Sequence, residues 1–131
     1  MKSRLTALSL VALATPAFAE NWRASSASDE AAAFIDVDSI RRDGDKVTFW
    51  REVRWPTVQS LSDGTQFDRI ANLYEADCQA MRFRSLQVQA RLEAEVVLGG
   101  EEEGETEEAL PGSTAEVDLK AACFDTWPQG Q

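Results

Sequence analysis

A small α+β domain, strands first and one helix last, is the fold class this sequence predicts. Three observations carry that prediction. Between about residue 20 and residue 98, short segments of alternating apolar and polar residues are separated by glycine-marked turns. Near the C-terminus the apolar period changes to that of a helix. Two cysteines, Cys78 and Cys123, stand one in the strand region and one in the helix.

Ahead of the domain is a segment with a pattern of its own. Lys2 and Arg4 supply positive charge, residues 5–14 are uncharged, Thr15-Pro16 breaks the run, and Ala17-Phe18-Ala19 closes it. That order marks a secretory signal peptide, residues 1–19, with cleavage between Ala19 and Glu20. The apolar stretch is roughly half the length of the ~20 residues a membrane span requires. No second apolar run follows, so no membrane insertion is expected after cleavage. The new first residue is Glu20 rather than cysteine, so a lipid-anchored terminus is not expected either. Residues 20–126 have the size of one domain, and residues 127–131 form a C-terminal tail.

The elements follow in order. Residues 20–24 open a first strand, residues 25–30 are a polar connection, and residues 33–37 form a second short strand. Asp43-Gly44 marks a tight turn, because glycine accepts the positive φ that hairpin turns demand. Residues 46–55 are the clearest strand. Val47, Phe49, Val53 and Trp55 share one face, interrupted by Arg51, while Thr48, Trp50, Glu52 and Arg54 share the other. Pro56 is expected to end the run, since it has no ladder donor. Asp63-Gly64 marks the next turn. Residues 66–78 and 81–92 extend again, and residues 95–98 make a short last strand. From Gly99 to Leu110 the chain is dominated by glutamate, too charged to pack, and a mobile acidic loop is expected over residues 99–110.

Pro111-Gly112 is a turn, and Ser113-Thr114-Ala115-Glu116 fits a capping box. Ala115, Leu119, Ala122 and Cys123 then fall on one helical stripe. In an oxidising compartment, two cysteines have one intramolecular pairing. A Cys78–Cys123 disulfide would fasten the buried face of the helix to the sheet. A helix this short needs such support.

Composition and charge exclude several function classes. The formal net charge is −10, opposite in sign to what phosphate neutralisation needs, so no nucleic acid partner is expected. A cationic protein partner suits that charge. There is no histidine, which removes Ser-His-Asp and Cys-His catalysis and the commonest transition-metal ligand. No glycine-rich phosphate loop occurs. Asp36-x-Asp38 fails the calcium-loop test, because Ile40 and Arg41 stand at the fifth and sixth positions. Carboxylates are abundant, but none is singled out as an acid/base pair. No catalytic residue, metal or cofactor is therefore expected.

Basic and aromatic residues supply the candidate partner-binding set. Trp50, Arg51, Arg54, Trp55, Arg82 and Arg84 lie in predicted strands, and tryptophan and arginine dominate binding hot spots. The competing role is structural: arginines paired with carboxylates across strands, and tryptophans in the core.

Taken in sequence, Trp22, the run from Phe34 to Ile40, Asp43-Gly44, Val47-Thr48-Phe49-Trp50, Glu75-Ala76-Asp77-Cys78, Arg82-Phe83-Arg84, Pro111-Gly112-Ser113 and Cys123 resemble the surface-adhesin E-like family of small exported bacterial domains. The resemblance covers nearly the whole mature chain. It implies an antiparallel sheet of about six strands with a C-terminal helix tethered by the disulfide. It also implies adhesion to host matrix proteins and the capacity to form a homodimer. The sequence departs from the family in two places: no lipid-attachment cysteine follows the cut, and the glutamate run replaces a tryptophan-containing strand before the helix.

The expectation is an exported, periplasmic or secreted, non-enzymatic binding or envelope domain with a host matrix or envelope protein as partner. The alternative is a periplasmic inhibitor or scavenger of a cationic protein such as lysozyme.

Overall fold

The computed structural model describes residues 20–128. The expected signal peptide, its cleavage junction at Ala19, and tail residues 129–131 lie outside the described residues. The order of elements is β1 (Trp22–Ala27), β2 (Ala32–Asp36), a 3₁₀ turn (Val37–Ser39), β3 (Arg41–Asp43), β4 (Lys46–Ser60), β5 (Gln66–Asp77), β6 (Arg82–Leu92), β7 (Glu95–Glu101), β8 (Glu107–Glu108) and α1 (Thr114–Phe124).

Every pairing is antiparallel. The continuous path runs β1-β2-β4-β5-β6-β7, with β3 added beside β4 and β8 beside β6. The sheet thus has eight strands rather than about six. The two additions escaped the sequence because β3 is Arg41-Arg42-Asp43 and β8 is Glu107-Glu108, all exposed, with no apolar alternation to mark them. Hydrogen bonding to a neighbour makes them strands.

β4 organises the molecule. Its register sets Val47 against Ala76 and Phe49 against Tyr74, and sets Ile35 of β2 against Arg51. These residues face α1, whose Leu119, Ala122 and Cys123 are buried against them. Tyr74 packs between Phe49 and Phe83, with ring centroids 6.0 and 5.6 Å away. Pro56 does not end β4, which continues to Ser60. The ladder to β5 is interrupted between Arg54 and Gln59, so Pro56 sits where no donor is required.

α1 is held at both ends. The Ser113 hydroxyl accepts from the Glu116 amide at 3.2 Å, and the Glu116 side chain accepts from the Gly112 amide at 3.0 Å. At the other end, the Arg42 guanidinium donates to the Cys123 carbonyl at 2.7 Å. That contact places positive charge at the negative end of the helix and gives β3 its role. The predicted disulfide joins Cys78, just past β5, to Cys123, with Cα atoms 5.6 Å apart and a separation of 45 positions in sequence. Closing such a loop stabilises the fold by about 4 kcal/mol through the unfolded chain. Trp127, placed by the sequence in a tail, instead packs on the core, with the Arg23 guanidinium 4.2 Å from its ring.

The acidic segment is likewise tied to the sheet rather than forming a free loop. Its first residues belong to β7, and Glu107–Glu108 form β8. Between them the Glu102 amide donates to the Leu86 carbonyl at 2.8 Å, and the Gly104 amide to the Ser85 carbonyl at 3.0 Å. A Cβ at Gly104 would lie 3.3 Å from the Ser85 nitrogen, so glycine permits this close approach. The side chains stay in water while the backbone completes the β6 ladder. Charge therefore did not decide the backbone's fate here.

Candidate functional site

The face of the sheet turned away from α1 carries the candidate site. Alternation puts Trp50, Glu52 and Arg54 of β4 on it, and the register adds their neighbours. Phe34 lies opposite Glu52, Leu73 opposite Trp50, Ala71 opposite Glu52 and Arg69 opposite Arg54. β6 contributes Gln87, Gln89 and Arg91 in the next row. Trp22 of β1 completes an aromatic side.

Glu52 is the fixed point of this face. Its side chain is 2 % exposed, and a carboxylate so buried must be paired. Arg54 Nε lies 2.6 Å from Glu52 Oε1, and an Arg69 terminal nitrogen lies 3.7 Å from the same oxygen. Held by Glu52, the Arg54 guanidinium sits 4.1 Å from the Phe34 ring centre and 5.6 Å from that of Trp22. A cation stacked on aromatic faces gains about 0.5–1 kcal/mol at an exposed site. Beside this stack is a cavity of about 170 Å³, lined by Trp22, Trp50, Glu52, Ala71, Gln87, Gln89 and Arg91 together with Glu20 and Asp36. Arg91 Nε is buried there without a hydrogen-bond partner. The volume falls short of the ~300–1,000 Å³ of typical small-molecule pockets. It suits an inserted side chain of a protein partner.

The six predicted partner-binding residues separate into four places. Trp50 and Arg54 lie on the open face. Arg51 points the other way, beneath α1, with its Nε 2.6 Å from Asp118 Oδ2. Trp55 packs edge-on against Phe67, ring centroids 5.6 Å apart. Arg82 and Arg84 stand at the far end of the sheet, lining an open cleft of about 410 Å³ with Lys46, Glu75, Asp77, Phe83 and Thr106. There Arg84 Nε donates to Glu75 at 3.1 Å. That cleft carries both signs of charge and little apolar surface.

Sequence reasoning missed Trp22, Phe34 and Arg91 as members of the open face. Parity within β4 did identify Trp50, Glu52 and Arg54 as sharing one side. The pairing register between strands brings in the others, and no local signal supplies it.

The Arg51–Asp118 contact is an interior feature. Asp118 is 4 % exposed, and burial pushes its carboxyl above the usual aspartate range; the Arg51 charge and the Ser25 hydroxyl oppose that shift without cancelling it. The close approach of Arg51 Nε does not have hydrogen-bond geometry, and Asp118 Oδ1 has no partner. Asp36, considered for calcium, accepts from the backbone amides of Asn21 and Asp38 at 3.0 and 3.1 Å, which is turn chemistry. Among the described residues, no group of three or more Asp, Glu, Cys or His side chains is arranged to hold a metal ion. No helix among them is long and apolar enough to cross a membrane.

Comparison with protein families matches residues 22–124 to the surface-adhesin protein E family. Comparison with curated proteins and with solved structures returned no match. The family match spans the chain from β1 to the last residue of α1, and the chain belongs to the surface-adhesin protein E family.

Proposed function

We propose that this chain is an exported, non-enzymatic adhesin-type domain that binds a protein partner, a host matrix or envelope protein, through the open face of its sheet. Family membership supports the adhesin character and a protein partner. The observation that carries the location is the Arg54 guanidinium held by buried Glu52 against Phe34 and Trp22, beside a side-chain-sized cavity. Rigid arginine–aromatic clusters of this kind concentrate binding energy.

The test is solid-phase binding of residues 20–131 to a panel of extracellular-matrix proteins, with an unrelated acidic domain as control. Saturable binding is expected, weakened about tenfold or more by Trp50→Ala or Arg54→Ala, as for hot-spot residues. Binding no better than the control removes the matrix-adhesin reading. Protease shaving of intact cells, set against fractionation, separates a surface position from a periplasmic one.

A second reading is supported by the charge: the domain inhibits or scavenges a cationic protein such as lysozyme. The β7–β8 edge, with seven glutamates and no lysine or arginine between residues 95 and 108, favours it. Unchanged lysozyme activity in a large molar excess of the domain would set this reading aside.

A further inference from the structure

β7 is the last strand on the sheet path, and all of its residues are exposed. Val96, Val97 and Leu98 at its centre are 54, 40 and 48 % exposed. Among the described residues, no strand lies on the side of β7 away from β6, so its outward N–H and C=O groups form a template for one more. Proteins usually blunt such an edge with proline, shortness or charge directed at the edge itself. Here the apolar centre is left open, and the charge around it has a single sign. Seven glutamates and no lysine or arginine lie between residues 95 and 108. Among the described residues, none of the seven has an ion-pair partner within 4.0 Å.

We propose that β7 accepts an extended segment of a cationic protein partner as an added strand. Apolar residues of that segment meet Val96, Val97 and Leu98, and its lysines or arginines meet the glutamates at either end. Main-chain hydrogen bonds supply affinity in this mode, and alternate side chains supply selection. A second copy of this chain is the wrong occupant. Antiparallel self-pairing about the centre of β7 sets Glu95 opposite Glu101, and parallel pairing in register sets each glutamate beside itself. The opposite edge, β1, has the sequence Trp-Arg-Ala-Ser-Ser-Ala, with an arginine and no carboxylate or large aliphatic residue within the strand. The inference deepens the cationic-partner reading, rests on it only for the sign of the partner's charge, and makes no use of the open face.

The experiment measures fluorescence anisotropy of labelled peptides with residues 20–131. One peptide has a valine-rich centre and lysines at both ends. A second carries the same charges but is N-methylated at alternate residues, which removes its edge-pairing donors. A third replaces the lysines with glutamates. The lysine peptide is expected to bind, and the methylated one to bind about tenfold or more weakly, since it has lost the donors that pair with the edge. The glutamate peptide is expected not to bind. Glu101→Lys with Glu103→Lys, checked for folding by circular dichroism, is expected to weaken the lysine peptide, whereas Trp50→Ala leaves it unchanged. Equal binding of the methylated and unmodified peptides overturns strand addition while leaving cationic attraction standing. No binding of the lysine peptide overturns both.

Discussion

β4 places an arginine on each of its faces beside a buried carboxylate, and the two pairs differ in what covers them. Beneath α1, Arg51 meets Asp118; on the open face, Arg54 meets Glu52, and both approaches are 2.6 Å. The helix closes over the first pair, leaving the Arg51 side chain 18 % exposed and lining it with core. The second pair is covered only by aromatic rings at its sides, and Arg54 keeps 29 % of its side chain in reach of solvent. An arginine–carboxylate pair thus makes an internal strut on one side and a presented cation on the other. Distance along the strand does not distinguish them; the layer above them does.

Releasing the covering layer should have the largest effect on the difference between the two faces. Replacing Cys78 and Cys123 by alanine should lower unfolding stability by about 4 kcal/mol, read from urea denaturation of oxidised wild type and variant. A loss near zero would mean that packing alone keeps α1 over Arg51. Arg51→Ala comes next. It strands a buried carboxylate, and a loss of about 3 kcal/mol is expected, the low end for a buried pair because Arg51 is partly solvated. The double change Arg51→Met with Asp118→Leu should recover most of that loss, as apolar replacement of a buried pair often does.

Arg54→Ala should cost less, about 1–2 kcal/mol, because Arg69 remains near buried Glu52 as a second cation and Arg54 is the more solvated of the two β4 arginines. Equal losses at Arg51 and Arg54 would erase the distinction drawn between the faces. Ser113→Ala should cost about 1 kcal/mol through loss of the helix N-cap, measured by thermal unfolding. It tests how far the cover depends on its own first turn.

The smallest effect is a pH dependence. Because burial raises the Asp118 pKa in the folded state, its protonated form is favoured by folding. Stability from this group is fully present below the unfolded aspartate value of about 3.9 and is lost as pH rises through the higher folded value. Denaturation midpoints across mildly acidic pH should therefore show wild type losing stability relative to Asp118→Asn as pH increases. A difference that stays flat, or reverses, would mean that the Arg51 charge outweighs burial.

Much of this structure was legible in the residues. Parity along β4 separated its two faces, the change of period located α1, and the spacing of Ala115, Leu119, Ala122 and Cys123 marked the face that meets the sheet. The two cysteines pointed to the bond that ties the layers together. Arg51 was visible as an interruption of an apolar face, but its reason was not, because Asp118 lies 67 positions further along the chain.

What the sequence determined by itself are the features set by local chemistry: turn glycines, strand alternation, the helix cap and stripe, and the sign of the charge. Tertiary structure alone decided the features set by register. It gathered Trp22, Phe34, Arg54, Arg69 and Arg91 on one face, set Asp118 beside Arg51, and paired a glutamate-rich segment along β6. The physical reason is that side-chain chemistry acts over a few neighbours along the chain. Backbone hydrogen bonds between strands join residues without regard to that chemistry, and a buried face is defined only when another layer arrives to bury it.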